Sequence, residues 1–95
     1  YKGWVAVTYG SSGAELTREG SWVASSESPR VDSIDSVGAG DAFTAALTVG
    51  LMRGLEPQRA LERACCAGAI ATTRSGAQNA PTEQEIDTLL NNGGR

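Results

Sequence analysis

Trp4-Val5-Ala6-Val7-Thr8-Tyr9 is a compact apolar run bounded by glycines, and it predicts a buried strand. Gly10-Ser11-Ser12-Gly13 reads as a turn. Residues 14–17 and 21–24 predict two short strands. Arg18-Glu19-Gly20 turns one back on the other, so residues 14–24 form a hairpin. A polar loop follows from Ser25 to Arg30, then a short extended segment over residues 31–34. The pattern then becomes helical. A first helix is expected from about Gly40 to Arg53, with Gly54 as its C-terminal stop. A second starts around Pro57, where a missing N–H costs nothing, and runs to about Thr72. Its residues are mostly small: Ala60, Ala64, Cys65, Cys66, Ala67, Gly68, Ala69 and Ala71. That composition implies close packing on several sides. Residues 74–80 read as a loop. Thr82-Glu83-Gln84-Glu85 has the pattern of a capping box, which predicts a third helix over 83–91 and a frayed tail to Arg95.

Three short strands and three helices give an α/β class. The first helix carries a large apolar face, and the second is buried on most sides. One hairpin cannot cover both. The expectation is therefore the C-terminal part of a larger α/β domain, whose central sheet comes from upstream chain.

Composition narrows the function classes. With 40% hydrophobic and 20% charged residues, the chain is globular rather than disordered. Its arginines are scattered and its net charge is -3, so nothing suggests a nucleic-acid surface. The absence of histidine excludes Ser-His-Asp and Cys-His catalysis and any His-ligated zinc. Cys65 and Cys66 are adjacent in a helix. They suit buried, reduced thiols, not a disulfide or a metal site, and this fits a cytoplasmic protein. No apolar run is long enough to span a membrane, and no signal peptide is visible.

Candidate chemistry centres on Asp35-Ser36-Val37-Gly38-Ala39-Gly40-Asp41-Ala42-Phe43. Gly38, Ala39 and Gly40 would present bare N–H groups at a helix N-terminus, where the dipole favours anions. Two readings fit. One is an ordinary glycine turn with an acidic helix start. The other is a phosphoryl-transfer site in which Asp41 takes a proton from an attacking hydroxyl. A Walker loop is excluded, because no lysine lies nearby. A dinucleotide fingerprint is excluded, because Phe43 stands where a third glycine is needed and helix follows helix. Thr8-Tyr9-Gly10-Ser11-Ser12-Gly13 is either a tight strand connection or a loop offering N–H groups to nucleotide phosphates. Asp35 either caps a turn or joins backbone carbonyls around a monovalent cation.

These segments, in this order, resemble the C-terminal part of the ribokinase-like (PfkB) carbohydrate kinases. The glycine-aspartate run is similar to that family's Asp-Thr-Thr-Gly-Ala-Gly-Asp-Ala/Thr-Phe signature. Residues 7–14 are similar to its Thr-x-Gly-x-x-Gly nucleotide loop. Residues 67–77 are similar to its Ala-Gly-Ala-Leu-Ala-Val-Thr-Arg-x-Gly-Ala run. Pro81 and the acidic helix after it also match. The resemblance implies a ribokinase-like three-layer α/β/α domain, of which residues 1–95 would be the C-terminal nucleotide-binding and catalytic portion. The upstream sheet, sugar site and lid would lie outside this chain, along with the family's Asn-x-x-Glu magnesium motif.

The implied activity is transfer of the γ-phosphoryl of ATP to a sugar hydroxyl, with Asp41 as base. Gly38, Ala39, Gly40 and Asp41 would form the anion hole. Thr8, Gly10, Ser11, Ser12, Gly13, Ala14 and Glu15 would border the ATP, together with Gly40 and Asp41. The second helix and the loop after it would line the adenine pocket. ATP and Mg2+ are the implied cofactors. A K+ site is implied at Asp35, Val37, Ala71, Arg74 and Gly76. Small-molecule sugar and ATP are the implied partners, with a homodimer through an upstream lid, and neither nucleic acid nor membrane. Cys65 stands where many members have Asn, and Ala80 where a Ser is frequent. The segment Ala42-Phe43-Thr44-Ala45-Ala46-Leu47 leans toward the fructokinase-like branch. The alternatives are a nucleoside (adenosine-like) kinase, or a non-catalytic regulatory protein that keeps the fold. A self-standing α/β module of unrelated function fits poorly with the uncovered apolar helices.

Overall fold

The computed structural model describes residues 3–74 and 80–91. Three strands, β1 (Trp4–Thr8), β2 (Ala14–Arg18) and β3 (Ser21–Ser26), form one antiparallel sheet in the order β1-β2-β3. Three helices follow: α1 (Ala39–Met52), α2 (Pro57–Thr72) and α3 (Glu83–Asn91). The elements match the expected ones to within two residues at each end, with one exception. Residues 31–34 join no ladder, and their end is held by a helix instead of a strand.

Local chemistry explains each boundary. The β2–β3 hairpin turns at Glu19 (φ 52°) and Gly20 (φ 84°), two successive left-handed residues that suit the twist of the flanking strands. Val23 is an extra residue in β3, since Leu16 pairs with Ala24 and Thr17 with Trp22. Helix α1 ends in a Schellman arrangement. The Gly54 N–H donates to the Leu51 carbonyl at 3.1 Å, the Leu55 N–H to Gly50 at 3.1 Å, and Gly54 has φ 82°. Pro57 opens α2. Thr82 caps α3 reciprocally: the Glu85 N–H donates to Thr82 Oγ1 at 3.1 Å and the Thr82 N–H to Glu85 Oε1 at 2.9 Å.

Helix α2 is the centre of the molecule. Its Ala60, Leu61, Ala64 and Cys65 pack with Leu16 and Ala24 of the sheet and Phe43 and Leu47 of α1. Cys66 and Ala67 pack with Ile86 of α3. Small side chains let neighbours approach from both directions. At Gly50, an added Cβ would lie 3.0 Å from the Ala60 Cβ, so α1 and α2 touch almost backbone to backbone there. Arg63 binds Asp87 and Arg53 binds Glu83 (2.7 Å), which ties α3 to the other helices.

The structure corrects the expectation of a buried first strand. Among the described residues, β1 lies at the edge of the sheet. Ala14 and Leu16 of β2 face the core, whereas Val5, Val7 and Tyr9 are 55, 43 and 52% exposed. Their row pairs with Thr17 and Glu15 on the outer face, which no described residue covers. Trp4 alone of the run packs against the core. On α1, Val49 and Met52 are likewise exposed.

Candidate functional site

The start of α1 follows from its glycines. Gly38 occupies the N-cap position with φ 84°, a left-handed conformation that residues with a Cβ rarely adopt. No side chain caps the helix. The Ala39 N–H donates to the Ser36 carbonyl at 3.2 Å, and the Ala42 N–H to Gly38 at 2.9 Å. Between them, the N–H groups of Gly40 and Asp41 meet no acceptor among the described residues. A Cβ at Gly40 would have nothing within 4 Å. Asp41 follows in the first turn, exposed, where the helix dipole favours a carboxylate.

Gly40 opens onto a cleft of about 850 Å³. Thr8, Gly10, Gly13 and Ala14 line it from the β1–β2 connection, and Cys65, Gly68, Ala69 and Thr72 from α2. The connection is a single tight turn over residues 10–12, with Tyr9 N–H to Gly13 O at 2.8 Å and Gly13 N–H to Gly10 O at 3.2 Å. Gly13 has φ 104°, and a Cβ there would fall 2.0 Å from the Ser26 carbonyl oxygen. Only glycine fits.

Not every expected nucleotide-loop residue reaches the cleft. Ser12 belongs to the turn but not to the cleft lining, and the Ser11 side chain lies outside what the structure describes. Glu15 alternates with Ala14 onto the outer sheet face, where its Oε1 accepts the Tyr9 hydroxyl at 2.7 Å. That contact raises the Tyr9 pKa, first through the hydrogen bond and then through the carboxylate charge.

The expected cation residues sit beside the cleft rather than on it. Asp35 Oδ1 accepts the Val37 N–H at 2.9 Å. The Ile34 and Asp35 N–H groups donate to the Thr72 carbonyl at 2.6 and 3.0 Å, which brings Asp35 to the end of α2, where Ala71 and Arg74 lie. The Ala71 carbonyl accepts the Arg74 N–H at 3.3 Å, and the Arg74 guanidinium binds Glu85. Gly76 lies outside the described residues. No group of three or more His, Cys, Asp or Glu comes together among the described residues. Asp35 is a carboxylate near the backbone at the end of α2.

Residues 28–33 form a cleft wall that the sequence marked only as loop and extended segment; Pro29 within it is buried. Phe43 also lines the cleft, from one turn into α1. Its place in the glycine-aspartate run was the available signal. Cys65 and Cys66 are buried and free. Burial raises both thiol pKa values, that of Cys66 to about 11, so neither is a nucleophile at neutral pH.

Known proteins share this fold. The family model of the pfkB family carbohydrate kinases matches residues 1–85. An ATP-dependent ribose-1-phosphate kinase of Halopiger xanaduensis is 41% identical over 87 residues, covering 90% of this chain and 29% of that protein. The crystal structure of a ribokinase II from E. coli in complex with ATP and Mg2+ superposes with a TM-score of 0.85 at 32% identity, over 94% of this chain and 29% of the other. A fructokinase double mutant from Vibrio cholerae, in a fructose-, ADP- and potassium-bound form, gives a TM-score of 0.82 at 32% identity, over 93% of this chain and 30% of its own. The chain therefore spans less than a third of these relatives.

Proposed function

The chain belongs to the pfkB family of carbohydrate kinases, and from that premise we propose that the whole protein transfers the γ-phosphoryl of ATP to a hydroxyl of a sugar. Residues 1–95 supply the C-terminal nucleotide-binding and catalytic portion of one kinase domain. The observation that carries this reading is the cleft itself. It places the open backbone of Gly40, with the N–H groups of Gly40 and Asp41 unengaged by described residues, across from the Thr8–Ala14 connection.

ATP lies in the cleft with its phosphates toward the start of α1 and its base toward Cys65, Gly68 and Ala69. Asp41 accepts the proton of the acceptor hydroxyl as that oxygen bonds to the γ-phosphorus. The bond to the β-phosphate oxygen breaks, and ADP leaves. The open N–H groups of Gly40 and Asp41 hold the charge of the transferred group, while the Ala39 N–H is engaged by the Ser36 carbonyl, and positioning supplies most of the remaining acceleration. Bound together with ATP, Mg2+ would neutralise phosphate charge. A K+ ion would be held by the Asp35 carboxylate with the carbonyls of Val37, Ala71, Arg74 and Gly76, the last of which lies outside the described residues, and it would order the segment leading into Gly38. Free thiols and the use of ATP favour the cytoplasm. Among the described residues no helix is long and apolar enough to cross a membrane.

The test is the full-length protein with ATP and a panel of ribose-type, fructose-type and nucleoside acceptors, read by ADP release and phosphorylated product. Phosphorylation of a free or phosphorylated sugar supports the reading. ATP binding with no acceptor phosphorylated would point instead to a non-catalytic relative.

A further inference from the structure

Resting on that reading of the cleft, we infer that the Ser33 and Thr72 hydroxyls are a positioning pair that sets the Gly38–Asp41 turn for phosphoryl transfer. Ser33 Oγ lies 3.1 Å from Thr72 Oγ1. Thr72 Oγ1 itself donates to the Ala69 carbonyl at 2.6 Å. A hydroxyl has one hydrogen, so Ser33 is the donor in the shared bond. The result is a directed chain from Ser33 through Thr72 to the backbone of α2, in which each bond polarises the next.

The same residue pins the neighbouring backbone. The Thr72 carbonyl accepts both the Ile34 and the Asp35 N–H groups. Asp35 then holds the Val37 N–H, and the Ser36 carbonyl holds the Ala39 N–H. Hydrogen bonds thus run from the last residue of α2 to the N–H of Ala39, the first residue of α1, immediately before the open N–H groups of Gly40 and Asp41. Residues 31–37 form no strand, so this attachment does for the segment what a ladder would do. Thr72 stands where the resembling family run has Val, so the hydroxyl is not part of the shared motif. Both side chains also border the cleft, which makes direct nucleotide contact the rival role.

The two roles separate in kinetics of the full-length protein. Thr72→Val keeps the shape and the carbonyl but loses the hydroxyl, and Ser33→Ala removes the donor. Each is expected to lower kcat by about three- to tenfold, in line with the loss of one net hydrogen bond, with the ATP KM within about twofold. The double variant should be no slower than the slower single variant, since both lose the same bond. Thr72→Ser should keep the wild-type kcat. A raised ATP KM with unchanged kcat would make the pair a nucleotide contact and overturn the proposal. So would unchanged kcat in both single variants, or Thr72→Ser as slow as Thr72→Val. If the wild-type protein phosphorylates no acceptor, the kinase reading fails first and the inference falls with it.

Discussion

Gly68 of α2 lies against Ala39 at the start of α1: a Cβ at position 68 would stand 3.4 Å from the Ala39 carbonyl oxygen and 3.6 Å from the Phe43 Cβ. This contact brings the α2 wall of the cleft up to the glycine turn at the start of α1. Gly68→Ala should be tolerated, with helix propensity gaining roughly 0.5–1 kcal/mol against a snug fit. Gly68→Leu should cost about 1–3 kcal/mol by overpacking and push α1 away from the cleft. Thermal unfolding and kcat of the two variants check this. Equal activity in both would mean that the spacing of Gly68 and Ala39 does not matter to the site.

Asp41 is exposed and carries the second of the two open N–H groups. In the full-length protein, Asp41→Asn should lower kcat by about 10²–10⁴-fold, the range for loss of a general base, while ATP affinity survives. Isothermal titration with ATP and steady-state turnover measure the two separately. Near-normal turnover would remove Asp41 from the role of base.

Gly40 separates folding from chemistry. Its missing Cβ faces open space, so Gly40→Ala should leave stability unchanged or slightly raised. The added methyl would nevertheless stand where the phosphoryl group must approach. A fall in kcat on the order of 10²-fold is expected, comparable to loss of one oxyanion-type donor. Gly13→Ala should behave in the opposite way, losing folded protein, because its Cβ would collide with the Ser26 carbonyl. Unfolding curves for the pair, set beside turnover for Gly40→Ala, decide the matter.

If a monovalent cation orders the segment before Gly38, potassium should stimulate the wild-type enzyme relative to a large organic cation. Asp35→Ala should abolish the difference. A rate that is the same in both salts would exclude the Asp35 site.

The Cys66 thiol gives a pH prediction with a definite sign. Burial raises its pKa in the folded state to about 11, above that of an unfolded thiol. The stability linked to this group is fully present below the unfolded pKa. It declines as pH rises from there through about 11, by roughly 2–3 kcal/mol in total. Urea denaturation between pH 8 and pH 11 should show that decline, and Cys66→Ala should show a shallower one. Identical slopes in the two proteins would mean that the thiol ionises equally in both states.

Much of the fold was legible because its signals are local. The Thr82–Glu85 capping box, Pro57 at the head of α2, Gly54 after α1 and the Glu19-Gly20 turn each act within a few residues. Backbone geometry there depends on neighbours in sequence, so composition predicts it. The glycine-aspartate turn was readable for the same reason, since an open helix start needs only Gly38 and Gly40 and no distant partner.

Burial is not local. The run from Trp4 to Thr8 has the composition of a core strand, yet its outer row is exposed, because burial depends on what packs over a face and not on the strand's own residues. The wall formed by residues 28–33 and the Ser33–Thr72 bond join positions far apart in the chain, and no period or spacing marks them. The sequence by itself determined the helices, the hairpin and the chemistry available at the turn. Tertiary structure decided which of those groups share a cleft and which face away, because only folding brings α2, the β1–β2 connection and the start of α1 within reach of one another.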